Sequence, residues 1–197
     1  MIEVVPGIFT WPWFSERFGY DFHGTYLPAA KLVIDPVEPP APVLARLVEG
    51  GVETVVLTNR NHFRAAAAVR AATSARVLVN DADAAFVRER GVTVDGALAP
   101  GDRVGPFTVL DAEGKSPGEV ALWWPERRLL LVGDACVGHP AGALGLLPEK
   151  VMDDPPRLHA SLRRLAELDV DTILVGDGVP ILTGAQAALA ALCARLP

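Results

Sequence analysis

The sequence predicts an α/β protein, a four-layer α/β/β/α sandwich of two mixed β-sheets flanked by helices. Two observations lead there. Strands and helices alternate through much of the chain, and three strands on tight turns follow one another in its middle. A purely parallel, doubly wound sheet has no place for consecutive strands on tight turns, so two mixed sheets fit better. At 197 residues the chain is expected to form a single domain over 1–197. That length buries roughly 70% of the unfolded surface without a disulfide or a metal staple.

Taken in order, Pro42 suits the first turn of a helix from about Val43 to Glu49, with Val43, Leu44, Leu47 and Val48 on one face and Gly50-Gly51 as its stop. Thr54 to Leu57 reads as a buried strand, the alanine-rich run Ala65 to Ala72 as a helix, and Arg76 to Val79 as a short strand followed by a helix from Asp81. Phe107 to Leu110, Glu119 to Trp124 and Arg128 to Val132 are three strands in succession, with Pro125-Glu126-Arg127 as the hairpin turn. Asp154 caps a helix opened by Pro155, with Leu158, Leu162, Leu165 and Leu168 on its buried stripe. A strand at Thr172 to Val175 follows. The last helix is expected to begin with a capping box, Thr183 and Gln186, and to bury Leu189, Leu192, Cys193 and Leu196. The aromatic N-terminal run Trp11, Trp13, Phe14, Phe18 and Tyr20 is read as packing on a sheet edge, or as a pocket wall or homodimer contact.

Composition excludes several function classes. The formal charge is −6 and no Lys/Arg run is dense enough for a nucleic-acid patch, so neither nucleic acid nor an anionic membrane is an expected partner. No apolar run is long enough to span a bilayer. Cys136 and Cys193 are far apart with no CxxC spacing, which suits reduced thiols. Met1-Ile2-Glu3-Val4 carries no basic leader, and a cytoplasmic protein is expected.

Three apolar strands end abruptly in polar residues: Leu57 before Thr58-Asn59-Arg60-Asn61-His62, Val132 before Gly133-Asp134, and Val175 before Gly176-Asp177-Gly178. Functional groups of α/β proteins gather beyond the carboxyl ends of strands. Either aspartate alone reads most simply as a turn or helix cap. The three strand ends together point to a shared site. Gly114-Lys115-Ser116-Pro117-Gly118 matches a serine-hydrolase elbow in form only, because Pro117 lacks the N–H its oxyanion hole needs.

These segments resemble the metallo-β-lactamase fold family, whose motifs run Thr-His-X-His-X-Asp-His, Gly-His-Thr/Ser-Pro-Gly, Gly-Asp and a late Gly-His-Gly. Thr58 matches the first threonine, with Asn59, Asn61, Phe63 and Arg64 at the four ligand places. Gly114 to Gly118 matches the second motif with Lys115 for histidine, Gly133-Asp134 matches the third intact, and Asp177 replaces the late histidine. The likeness extends from Leu32 to Leu182. It implies a hydrolase in which metal-bound water attacks an ester, thioester, amide or phosphodiester.

The replacements change that expectation. Zinc wants about three imidazole, thiolate or carboxylate donors, and only Asp134 and Asp177 qualify. No metal or other cofactor is therefore expected, zinc being what the family implies; Lys115 and Arg64 are expected to neutralise Asp134 and Asp177. Magnesium or calcium on Asp134, Asp177, Asn59 and Asn61 is the competing arrangement. If catalysis survives, Asp134, Lys115 and His62 are the catalytic candidates, with Asn59, Asn61, Arg64 and Asp177 binding a small, anionic ligand. A pseudoenzyme that only binds such a ligand, or a structural partner, is the alternative. His62 lies one place away from a motif histidine and reads as a surface or helix-start residue or as a cleft residue.

Overall fold

A computed structural model of the chain describes residues 1–197. They divide into two compact units, Met1–Leu98 and Ala99–Pro197, each with its own mixed sheet, helices and apolar core. The two mixed sheets flanked by helices that the sequence predicts are present.

The first unit carries seven strands in sequential order: β1 (Ile2–Val5), β2 (Ile8–Ser15), β3 (Tyr20–Leu27), β4 (Leu32–Ile34), β5 (Thr54–Val56), β6 (Arg76–Val79) and β7 (Gly96–Ala97). The strands from β1 to β4 pair antiparallel and those from β4 to β7 parallel. Helices α1 (Ala41–Gly50), α2 (Ala66–Thr73) and α3 (Asp81–Glu89) supply the crossovers that parallel pairing requires. Trp11, Val33, Leu47, Val55, Val69 and Val77 meet in its core.

Two details of this unit depart from expectation. The four N-terminal strands extend through the segment read only as an aromatic cluster, and Pro12 lies within one of them. Pairing of β1 with β2 stops at Ile2↔Thr10, so Pro12 has a strand neighbour on one side only, opposite His23 of β3. A proline there costs no ladder hydrogen bond. In α1, Val43 and Leu47 face the core but Val48 is exposed, because one residue further turns the helix about 100° away from the sheet.

The second unit orders its strands β12-β11-β10-β9-β8, where β8 is Arg103–Val104, β9 Phe107–Asp111, β10 Val120–Trp124, β11 Leu129–Val132 and β12 Thr172–Val175. An antiparallel meander from β8 to β11 is joined by β12, parallel to β11. Helix α4 (Pro155–Leu165) bridges β11 and β12, its first turn capped by the Asp154 carboxylate, which accepts the Arg157 N–H at 3.0 Å. Leu158, Leu162 and Leu165 lie buried, as the leucine spacing predicts.

Helix α5 (Ala185–Cys193) lacks the expected capping box. Its N-cap is Gly184, in the left-handed region at φ 68°. The Gln186 side chain instead accepts the Val170 N–H at 3.1 Å and donates to the Ala166 carbonyl at 2.7 Å. It ties the helix to the loop before β12 rather than to its own first turn. Cys193 is only partly buried against the core. No helix of the chain is long and apolar enough to cross a membrane.

Candidate functional site

In the first unit, β4 and β5 run parallel with Ile34 opposite Val56, so the residues that follow them leave the same sheet edge side by side. The Asp35 N–H continues that ladder to the Val56 carbonyl at 2.9 Å, and Asp35 then turns into the left-handed region at φ 49°. Aspartate tolerates that region better than most residues. Its side chain is thereby turned toward Thr58. Asp35 Oδ1 accepts the Thr58 N–H at 2.8 Å, and Oδ2 accepts the Thr58 hydroxyl at 2.6 Å. His62 Nδ1 lies 2.9 Å from Asp35 Oδ2 and 3.1 Å from Thr58 Oγ1.

All three residues are buried. The reading of His62 as a surface residue is therefore corrected: the short 3₁₀ turn Arg60–Phe63 rolls its ring inward onto Asp35. That turn is secured from both sides. Asn59 Oδ1 accepts the Asn61 N–H at 2.8 Å, and Asp83 of α3 accepts the Arg60 N–H at 2.8 Å. Asn59 is buried and Asn61 half-buried. Arg64 closes the turn with its guanidinium 4.1 Å from the centre of the Phe22 ring, a cation–π distance. Trp13, Val37, Glu38 and Arg64 line a cleft of about 360 Å³ in this unit.

In the second unit the same logic applies to β11 and β12. They are parallel with Val132 opposite Val175, so Gly133-Asp134 and Gly176-Asp177 emerge in register. Metal-capable oxygens of Asp134 and Asp177 lie within 4.8 Å of each other, and both residues are buried. The Asp177 segment is clamped: its carbonyl accepts the Gly138 N–H at 2.9 Å, and a Cβ on Gly178, at φ 88°, would come within 2.6 Å of the Gly138 carbonyl oxygen. Glycine is required there by both space and backbone.

Lys115 Nζ lies 2.9 Å from Asp134 Oδ2, with the side chains only 6% and 5% exposed. Glu119, also buried, accepts the Asp134 N–H at 2.7 Å through Oε1. The 114–118 loop that delivers Lys115 is held on the start of α4, where the Asp154 N–H donates to the Gly114 carbonyl at 2.8 Å. Burial, with a smaller contribution from the Glu119 charge, pushes the nearby Cys136 thiol up to about 12. His139 is exposed, and His159 lies on the buried side of α4.

Lys115, Asp134, Asp177 and His62 were singled out in the sequence and are buried in the structure, whereas Asp35, Asp83 and Glu119, which bond to them or to their turns, were not singled out. Asp35 had a signal: it follows the apolar strand Leu32–Ile34 at once, much as Asp134 follows Leu129–Val132 after a single glycine. Asp83 and Glu119 act on backbone N–H groups distant in sequence, and no local pattern announces that.

A model of the metallo-beta-lactamase superfamily matches residues 3–196. Over 175 residues the chain is 30% identical to a hydroxyacylglutathione hydrolase of Fuscovulum blasticum, a span of 85% of this chain and 64% of that relative. A second, from Cereibacter sphaeroides (strain ATCC 17025 / ATH 2.4.3), is 30% identical over 174 residues, 84% of this chain and 63% of the relative. The chain thus spans less than two thirds of the length of these relatives. Among solved structures, a metallo-beta-lactamase from Pontibacter korlensis superposes with a TM-score of 0.76 at 15% identity, covering 98% of both chains. A metallo-beta-lactamase family protein from Thermus thermophilus superposes with a TM-score of 0.70 at 18% identity, covering 98% of this chain and 80% of its own. Identities this low speak for the fold alone.

Proposed function

Because the chain belongs to the metallo-beta-lactamase superfamily, we propose that it is a hydrolase of that family in which a protein cation, Lys115, stands where a metal ligand would be. The observation that carries this reading is the 2.9 Å contact between Lys115 Nζ and Asp134 Oδ2, both buried. Asp134 is the motif aspartate that the sequence retains, and its charge is already met by an ammonium.

The remaining family ligand places are a poor fit to zinc. Asn59 spends its side-chain oxygen on the Asn61 N–H, Phe63 has no donor, and Arg64 offers a cation rather than a lone pair. The electrostatics favour the same reading. At about 4 Å and an effective dielectric of about 20, a dication would be repelled by Lys115 by roughly 8 kcal/mol. That equals its attraction to one carboxylate at the same distance, so Lys115 cancels one of the two aspartates.

The relatives named hydroxyacylglutathione hydrolase make a hydroxyacyl thioester the first substrate class to test. Arg64, stacked on Phe22 at the cleft with Trp13, suits an anionic group on such a molecule. A second reading is favoured by one observation. The carboxylates of Asp134 and Asp177 are close enough to share a single cation, which would make the chain an altered-ligand metallohydrolase.

Metal content by mass spectrometry on protein purified without chelator or affinity tag, paired with a thioester hydrolysis assay, separates these readings. Metal-free protein that turns over substrate, and loses turnover in Lys115→Met, is the expected result. Stoichiometric metal would overturn the Lys115 reading in favour of the second. Metal-free protein without turnover, but stabilised by small carboxylates or phosphate, would make it a non-catalytic binder.

A further inference from the structure

A cleft of about 480 Å³ runs along α4 in the second unit and shares no lining residue with the Lys115–Asp134 pair. Its walls are Pro155, Pro156, His159 and Arg163 of the helix, Glu149 of the short 3₁₀ turn Glu149–Val151, and Pro197. The volume falls within the roughly 300–1,000 Å³ of small-molecule sites. His159 and Arg163 are four residues apart on one helix, so they stand one above the other on the same face, about 6 Å apart along its axis. Pro155 and Pro156 occupy the first turn, where a missing N–H costs nothing, and their rings leave that end of the cleft apolar.

Three polar side chains open on this cleft, and the chain uses little of their capacity. His159 is only 6% exposed, yet its imidazole has no hydrogen-bond partner in the protein. The ring carries an N–H in either protonation state, and a polar group taken out of water without a partner is costly. Arg163 engages one end of its guanidinium, donating to the Pro197 carbonyl at 2.5 Å, and pairs with no carboxylate side chain. The Glu149 carboxylate bonds to nothing else in the chain, and it does not pair with Arg163 although both line the cleft. Exposed charges are ordinary on a surface; a buried imidazole with no partner is not.

We infer that this cleft binds a small zwitterion of the α-amino acid class. The ligand's carboxylate meets the free edge of the Arg163 guanidinium and the His159 ring N–H, and its ammonium meets Glu149. Its side chain lies against the rings of Pro155, Pro156 and Pro197. A guanidinium suits a carboxylate because its planar N–H fork matches the two oxygens. Opposite charges that share a cleft without closing on each other favour a ligand bearing both signs, since a simple anion is opposed by Glu149 and a simple cation by Arg163. The inference is independent of the hydrolase reading.

The test is a titration followed by ¹H–¹³C correlation of the histidine ring signals, with His159 assigned as the signal lost in His159→Gln. L-Proline, L-leucine and L-phenylalanine are the probes. At least one should shift the His159 signal saturably at millimolar concentration and leave His139 unmoved. N-acetyl-L-phenylalanine lacks the ammonium and L-phenylalaninamide lacks the carboxylate, and each should bind about tenfold or more weakly than L-phenylalanine. Glu149 and Arg163 are exposed, so their variants keep the fold. Glu149→Gln should weaken L-phenylalanine about tenfold and leave N-acetyl-L-phenylalanine unchanged; Arg163→Gln should weaken L-phenylalanine about tenfold and leave L-phenylalaninamide unchanged. No saturable shift of His159 with any of the three amino acids would overturn the inference. So would inorganic phosphate or N-acetyl-L-phenylalanine binding as tightly as L-phenylalanine, which would make the cleft a plain anion site.

Discussion

Replacing Lys115 by methionine removes the charge while keeping most of the side-chain length, and the structure sets the size of the effect. At 2.9 Å the pair with Asp134 has a Coulomb energy of about 6 kcal/mol at an effective dielectric of about 20. Water cannot take over, because the Asp134 side chain is only 5% exposed. The neighbours make matters worse: Asp177 lies within 4.8 Å, and the buried Glu119 is bonded to the Asp134 N–H. Stranding one member of a buried pair costs about 3–5 kcal/mol. For a chain of this size each kcal/mol lowers Tm by roughly 2–4 °C, so Lys115→Met should melt roughly 6–20 °C below wild type. Adding Asp134→Asn removes the stranded charge, and the double variant should recover at least half of that loss. Thermal unfolding followed by circular dichroism at neutral pH measures all three proteins. If Lys115→Met melts within about a degree of wild type, the ammonium is not compensating a buried carboxylate and the reasoning fails.

Three further outcomes follow from particular contacts. Gly114→Ala should destabilise by roughly 2–5 kcal/mol in denaturant melts, combining backbone strain with overpacking, since the new Cβ would come 2.2 Å from the Leu158 backbone nitrogen at φ 138°. Cys136, its thiol pushed up to about 12 by burial, should resist iodoacetamide in the native protein and react once unfolded, as read by mass spectrometry. Because that shift is upward in an acid, its contribution to stability is complete below the ordinary thiol value of 9.0 and is lost as pH rises from there toward about 12. Lys115→His restores the family's histidine beside Asp134 and Asp177 and removes the opposing charge; it should bind zinc tighter than wild type by isothermal titration, and an unchanged affinity would show that the 114–118 loop cannot present a ligand.

The fold was legible wherever burial and chain pattern coincide. The leucine stripe of α4, the three consecutive strands β9, β10 and β11, and the alternation of β5, α2, β6 and α3 all appear as apolar runs of the right length and spacing. The first four strands did not, for a local reason. Their sequence carries Pro12 and Gly24, which read as strand breakers, yet each has a tertiary excuse. Pro12 lies beyond the last β1 pairing, and Gly24 leaves room for the Trp11 ring, whose atoms a Cβ would meet at 2.3 Å. The Thr183/Gln186 capping box failed for a related reason. The glutamine found two partners in the loop before β12 that are invisible from sequence, and those outcompeted its own helix end.

The candidate side chains could be named from the sequence, and their pairings could not. The sequence offers Lys115 and Arg64 as counter-charges for Asp134 and Asp177 without saying which meets which, and nothing local says that Glu119 grips the Asp134 backbone or that Asp35 faces His62. These carboxylates share a position in the architecture: Asp35, Asp134 and Asp177 each stand within two residues of the end of a strand that pairs in parallel. At such an end the sheet places unmet charge beside unmet charge, and the chain must supply a compensating group or accept a large burial cost. Here Asp134 meets Lys115, and Asp35 meets Thr58 and His62, each within hydrogen-bonding distance. On the reading proposed above, a lysine at a motif histidine place leaves the buried Asp134 carboxylate met by an ammonium rather than by a metal, so Lys115 is expected to matter for stability as well as for activity.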